Sequence, residues 1–278
     1  MQRFNKDIEL LRNAKCFLMD MDGTIYLGNE IFDGTLDFLA LLKEQGKRVG
    51  YITNNSSKAV SQYMEKLAKM GIKSQEDEFS TAVHATVHFL NKEKPGAKVY
   101  VVGTDALKNY LREAGFHIVK GYVEPGNPEE RPDFVVFGST TELVYDDLRT
   151  ICDYVSEGVT YWVTNPDDVI PVEGGKVIPD VGAFMAFIHA ATGKRPQLIA
   201  GKPNPCVINM VKEKYGYKND EIAVVGDRYD TDLMSAINAG VLSVCVLSGM
   251  VQPEDIDTLP VQPDYVIDNI RKLYVLLL

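Results

Sequence analysis

Short runs of unbroken apolar residues alternate along the chain with stretches whose apolar positions recur every three or four residues, and this alternation predicts strands and helices in turn. The first run, Cys16-Phe17-Leu18-Met19, is too continuous to show an in–out rhythm. It reads as a strand buried on both faces and ends at Asp20. Leu36, Leu39 and Leu42 fall at helical spacing within 35–44, and Gly46 supplies a stop. Residues 48–53 read as the next strand and 57–70 as the next helix, closed by Gly71. The same grammar returns near the C-terminus. A helix over 205–215 ends at Gly216, and a buried strand over 222–225 runs into Gly226-Asp227. A helix over 230–238 follows, then strands over 241–247 and 265–267, and the closing LYVLLL reads as the end of a helix.

Between these halves lies a separate set of elements. Residues 98–102, 133–137 and 160–163 read as strands, and 107–113, 142–155 and 181–191 as helices. Pro and Gly cluster in a loop over 124–132. Strands alternating with helices predict an α/β fold with a doubly wound parallel sheet. The expected division is a core from 1–89 and 196–278, with an inserted α/β domain over 90–195.

Composition narrows the function classes. The chain has 278 residues, of which 45% are hydrophobic and 24% charged, the balance of a globular protein. Lys and Arg total 29 against 39 Asp and Glu, a formal charge of −10, which argues against nucleic acid as a partner. No apolar run approaches the ~18 residues of a membrane span, and the first residues lack a signal-peptide core, so the expectation is a soluble, cytoplasmic protein without a membrane partner. Cys16, Cys152, Cys206 and Cys245 form no CxxC pair and read as small apolar residues of the interior. His84 and His88 lie one helical turn apart with no third ligand nearby, and Trp162 sits in an apolar strand as core.

The candidate chemistry sits at strand ends, where open α/β sheets bind their ligands. Asp20-Met21-Asp22-Gly23-Thr24 leaves the first strand with two carboxylates, which repel unless a cation or proton lies between them. Thr53-Asn54-Asn55 brings hydroxyl and amide groups to the end of the second strand. Gly201-Lys202-Pro203 supplies one ammonium, and Gly226-Asp227-Arg228-Tyr229-Asp230-Thr231-Asp232 adds carboxylates after a further buried strand. Alone, the three acidic or amide segments also read as turns or helix caps, and Lys202 as a surface loop residue. Together, hard oxygen ligands suit Mg²⁺. Such an ion beside a lysine and hydroxyl donors suits a phosphoryl group, with an Asp able to serve as nucleophile.

On these four segments, in this order, the chain resembles the haloacid dehalogenase-like (HAD) phosphohydrolases, in their NagD-like, p-nitrophenylphosphatase-type branch. The resemblance implies a Rossmann-like core with an inserted α/β cap of the larger, C2 type. It implies that Asp20 attacks phosphorus and that Asp22 protonates the leaving alcohol and then deprotonates water. Thr53, Asn54 and Lys202 would hold the phosphoryl group. Mg²⁺ would sit on the Asp20 carboxylate, the Asp22 carbonyl and the Asp227 carboxylate, with Asp232 orienting the site. The cap loop 164–168, with Asn165, Asp167 and Asp168, would face the leaving group, and its acids point to a hydroxylated or cationic one. The substrate would be a small phosphorylated metabolite: a sugar phosphate, a nucleoside monophosphate, pyridoxal phosphate or p-nitrophenyl phosphate. The resemblance leaves room for a homodimer formed through the cap. Two other readings use the same scaffold: a phosphomutase, disfavoured by the large insertion after Thr53, and a non-catalytic phosphometabolite-binding protein, disfavoured because Asp20, Asp22, Lys202 and Asp227 are all present.

Overall fold

A computed structural model describes residues 2–172 and 176–278. The chain forms two units: one comprises the stretch up to Thr53, Val60–Ser80 and Lys202–Leu278, and the other Asn54–Ala59 and Thr81–Gly201.

In the first unit seven strands make a mostly parallel sheet in the order Arg3–Phe4, Tyr265–Ile267, Leu242–Val246, Ile222–Gly226, Cys16–Met19, Arg48–Thr53, Phe79–Thr81. Every residue of Cys16–Met19, Ile222–Gly226 and Leu242–Val246 is buried, as continuous apolar runs demand. Alternate side chains serve opposite faces. Phe17, Met19, Ala223 and Val225 join one apolar cluster with Phe38 and Leu42 of helix Thr35–Glu44 and Leu273 of helix Ile270–Leu277. Cys245 and Val266 join a second cluster with Leu233 and Ile256. Phe17 meets Phe38 edge-on with ring centroids 5.9 Å apart.

The second unit carries a five-stranded sheet in the order Leu198–Ile199, Thr160–Val163, Phe134–Phe137, Lys98–Val102, His117–Val119, with every pair parallel. Trp162 is buried against Phe134, ring centroids 5.2 Å apart, in a cluster with Val99, Leu107 and Val136. An antiparallel hairpin pairs Val169–Val172 with Lys176–Pro179.

The structure differs from the sequence pattern in three places. The expected boundary at 89/90 falls inside helix Ala82–Glu93, whose Val83, Val87 and Leu90 pack into the core of the second unit. The chain therefore enters the second unit briefly over Asn54–Ala59, within the stretch expected to be core, enters it again at 80/81, and returns at 201/202 rather than 195/196. That helix starts at Thr81, whose hydroxyl accepts from the His84 amide while the His84 ring accepts from the Thr81 amide, a reciprocal cap that histidine disguises. The expected helix over 230–238 is instead a π-helical turn, Tyr229–Leu233, followed by a short helix, Met234–Ala239. Cys16 and Cys245 are buried, and Cys152 and Cys206 are half-buried. Among the described residues, no helix is long and apolar enough to cross a membrane.

Candidate active site

Strand register sets the site. Met19 pairs with Val225 and with Tyr51, so Asp20 leaves the sheet beside Gly226 and one residue short of Asp227. Thr53 ends the strand on the other side. The Asp20 amide donates to the Val225 carbonyl at 2.9 Å, continuing the ladder up to the nucleophile candidate.

Lys202 joins two of the acids. Its Nζ lies 2.6 Å from Asp20 Oδ1 and 2.6 Å from Asp232 Oδ1, and all three side chains are largely buried. The Arg228 amide donates to the other Asp232 oxygen at 3.1 Å. Thr24 Oγ1 donates to Asp227 Oδ1 at 3.0 Å, and the Met250 amide donates to Asp227 Oδ2 at 2.9 Å. One oxygen each of Asp20, Asp227 and Asp232 lie within 4.8 Å of one another, the one acidic cluster of this kind among the described residues.

Burial is the main force on the Asp20 carboxyl, which is pushed up to about 7; the Lys202 ammonium opposes the rise, while Asp232 and Asp227 add to it. Burial also raises Asp227, against the Met250 amide and with Asp232. For Lys202, burial disfavours the charge, yet the Asp20 and Asp232 carboxylates more than offset that and hold its pKa above the ordinary value. The group of three carboxylates and one ammonium therefore suits a divalent cation, with hard oxygen donors and an excess of negative charge. Glycines let the backbone come close to these carboxylates. A Cβ on Gly23, where φ is +89°, would lie 2.4 Å from Asp227 Oδ2, and one on Gly226 would lie 2.3 Å from Asp232 Cβ.

Asp22 differs from its neighbours. Its side chain is 58% exposed and lies 3.7 Å from Lys66 Nζ, which also sits over the Tyr26 ring at 4.0 Å. Tyr63, buried in the same unit, hydrogen-bonds the Thr53 side chain, and burial raises its hydroxyl to about 12. Of the predicted residues, the structure thus groups Asp20, Lys202, Asp227 and Asp232 directly, with Asp22 on the same turn and Thr53 at the adjoining strand end.

The remaining predicted residues belong to the second unit. Asn54 Nδ2 donates to Asp167 Oδ2 at 3.0 Å. Asn165 is fully buried, and its amide nitrogen donates to the Asn54 carbonyl, Ser139 Oγ and Thr164 Oγ1 while its oxygen accepts from the Asp167 amide. Asp168 is exposed. The sequence pattern missed Thr24 as a partner of Asp227, the Ser248–Met250 segment, Tyr63 and Lys66. Ser248-Gly249 stands just beyond a buried strand, the same signal that pointed to Asp20 and Asp227.

A haloacid dehalogenase-like hydrolase model matches residues 17–117, and a HAD-hydrolase-like model matches 199–273. The chain belongs to the haloacid dehalogenase-like hydrolases. It is 37% identical over 255 residues to the acid sugar phosphatase of Staphylococcus aureus strain USA300, covering 92% of this chain and 95% of that one. The crystal structure of a 4-nitrophenylphosphatase from Thermotoga maritima superposes with a TM-score of 0.88 at 38% identity, covering 97% of this chain and 99% of that one. A glycerol phosphate phosphatase from Mycobacterium tuberculosis, in complex with calcium, gives 0.84 at 30% identity over 95% of this chain and 76% of that one, and it has also been solved with magnesium. The chain is a phosphatase of the HAD family.

Proposed function

We propose that the chain is a Mg²⁺-dependent phosphomonoesterase that hydrolyses small phosphorylated sugars or polyols through an aspartyl-phosphate on Asp20. The observation that carries this reading is the burial of Asp20 against Lys202 within 4.8 Å of Asp227 and Asp232. The Asp20 carboxylate attacks phosphorus, the ester P–O bond breaks, and Asp22 gives its proton to the departing alkoxide. Water then attacks the phosphorus of the acyl phosphate and loses its proton to Asp22, releasing phosphate and restoring Asp20. The high exposure of Asp22 suits a group that exchanges protons with substrate and solvent.

Asp20, the Asp22 carbonyl and Asp227 would hold Mg²⁺, which supplies positive charge for the phosphoryl oxygens. Lys202 balances charge on the same oxygens and restrains Asp20. Asp232 fixes Lys202 through its 2.6 Å contact, an orienting role. Thr53 and Asn54 hydrogen-bond the phosphoryl group, and in loop 164–168 Asp167 and Asp168 are the acids that select a hydroxylated leaving group. The relatives named for sugar and glycerol phosphates support this substrate class, and the one named for a nitrophenyl ester supports phosphomonoester hydrolysis.

The test is Asp20→Asn, assayed for inorganic phosphate release from a panel of sugar and polyol phosphates with Mg²⁺ and with chelator. The expected result is a loss of at least about 10³-fold in kcat with folding retained. Unaltered turnover in that variant refutes the mechanism, and transfer of the phosphoryl group to a second sugar hydroxyl without phosphate release identifies a mutase instead.

A further inference from the structure

The segment Ser248-Gly249-Met250 follows strand Leu242–Val246, the neighbour of the strand that delivers Asp227. Its contacts converge on Asp227 and on the turn at Gly23. The Met250 amide donates to Asp227 Oδ2 at 2.9 Å, and the Val251 amide donates to the Asp227 main-chain carbonyl at 3.0 Å. Ser248 Oγ donates to the Gly23 carbonyl at 2.8 Å, tying the segment to the turn that carries Asp20, Asp22 and Thr24. A Cβ on Gly249 would lie 2.0 Å from Asp227 Oδ2, 2.5 Å from its Cγ and 2.8 Å from its Cβ. No rotation of the carboxylate about its own bonds escapes a clash that already reaches Cβ. Gly249 has no positive φ, so its small size, and not its conformational freedom, is what the position uses.

We propose that Ser248–Met250 is a positioning element for the Asp227 metal ligand, an inference that rests on the metal-dependent reading above. Each carboxylate oxygen has two lone-pair directions. Thr24 takes one on Oδ1 and the Met250 amide takes one on Oδ2, so the carboxylate plane is held from both oxygens. Asp227 is only 1% exposed, so no water shell competes to turn it. A small, hard cation with strict octahedral demands is sensitive to the tilt of its ligand. Loss of partners that orient a ligand costs about 10- to 100-fold in metal affinity.

The experiment titrates Mg²⁺ into chelator-stripped protein and follows the heat of binding and the thermal midpoint. Gly249→Ala is expected to weaken Mg²⁺ binding by about tenfold or more. Ser248→Ala, which removes one hydrogen bond and adds no bulk, is expected to weaken it by about threefold. A merely structural role would lower the midpoint in EDTA while leaving the Mg²⁺ dissociation constant at the parental value, and that result overturns the proposal. Should Gly249→Ala not fold, Ser248→Ala decides alone. Asp227→Asn in the same titration separates the two readings. If it binds Mg²⁺ like the parent, the metal site itself is misassigned and the proposal falls with it. If it loses binding while both segment variants keep the parental constant, the positioning role alone is refuted.

Discussion

Replacing Lys202 by methionine keeps length and bulk but removes the one ammonium among three acids. Nζ is 2.6 Å from an oxygen of each of Asp20 and Asp232, in a setting where the lysine side chain is 6% exposed and the Asp232 side chain 1%. Opposite unit charges at that distance attract by about 6 kcal/mol per pair at an effective dielectric constant of 20. Desolvation of the ammonium takes back much of this gain, but removing one partner from a buried ion group still costs about 3–5 kcal/mol. The loss depends on pH because the stranded Asp20 carboxyl can escape the repulsion by binding a proton. Asp20 already sits at about 7 with Lys202 present, and without the ammonium it rises further. We expect Lys202→Met to destabilise the metal-free first unit by about 4 kcal/mol at pH 8 and by less than half of that at pH 5.5. Denaturant unfolding in EDTA, followed by circular dichroism, measures both. Adding Asp232→Asn to Lys202→Met should recover about 2 kcal/mol at pH 8, because one of the stranded charges is gone. A loss below about 1 kcal/mol at pH 8, or one that does not change with pH, refutes the electrostatic account.

Two further outcomes follow from the same geometry. In EDTA the parent protein should be more stable at pH 5.5 than at pH 8. Asp20 and Asp227 have folded pKa values above their unfolded ones, so between about pH 4 and 7 the folded state holds more protons and stability falls as pH rises. The acids held low, Asp133, Glu157 and Glu221, act below that window, and a thermal midpoint that climbs from pH 5.5 to 8 contradicts the reading. Asn165→Ala should destabilise the second unit by about 3 kcal/mol, since it removes the hydrogen bonds that a fully buried side chain makes to the Asn54 carbonyl, Ser139 Oγ and the Asp167 amide. The single tryptophan, Trp162, lies in that unit's core, so its emission reports the shift, and an unmoved midpoint rules out the anchoring role.

Much of the fold was legible because the parallel strands are buried on both faces and so stand out as unbroken apolar runs. Cys16–Met19, Arg48–Thr53, Lys98–Val102 and Thr160–Val163 match the pattern to the residue. Phe79–Thr81 and Leu198–Ile199, short strands at sheet edges, were not read, whereas the equally short Tyr265–Ile267, which lies inside its sheet and is buried throughout, was. The π-helical turn at Tyr229–Leu233 was invisible for a different reason. Its conformation is bound up with where Asp232 goes, toward Lys202 and the Arg228 amide, and that partner lies thirty residues away in sequence. The acids and the lysine could be named from strand ends. Which acid pairs with Lys202, and which takes Thr24, are facts of side-chain direction that no spacing encodes. Loop 164–168 shows the limit most clearly: its polar composition suggested groups presented outward, yet Asn165 is spent entirely on internal bonds.

The glycines of the site explain how so much negative charge is concentrated at one sheet edge. A Cβ on Gly23 or Gly249 would strike the Asp227 carboxylate, and one on Gly226 would strike Asp232. Those acids therefore occupy space that side chains on the neighbouring backbone would otherwise fill, which brings them against main chain and keeps water out. Close backbone also means close amides: Met250 N–H reaches Asp227 and Arg228 N–H reaches Asp232. Desolvation raises the cost of each carboxylate, and the same approach returns part of that cost as hydrogen bonds. On the metal-dependent reading proposed above, the remainder is what a bound cation would release, so substitutions at the glycines and at Lys202 are expected to act on metal affinity and on pH-dependent stability together.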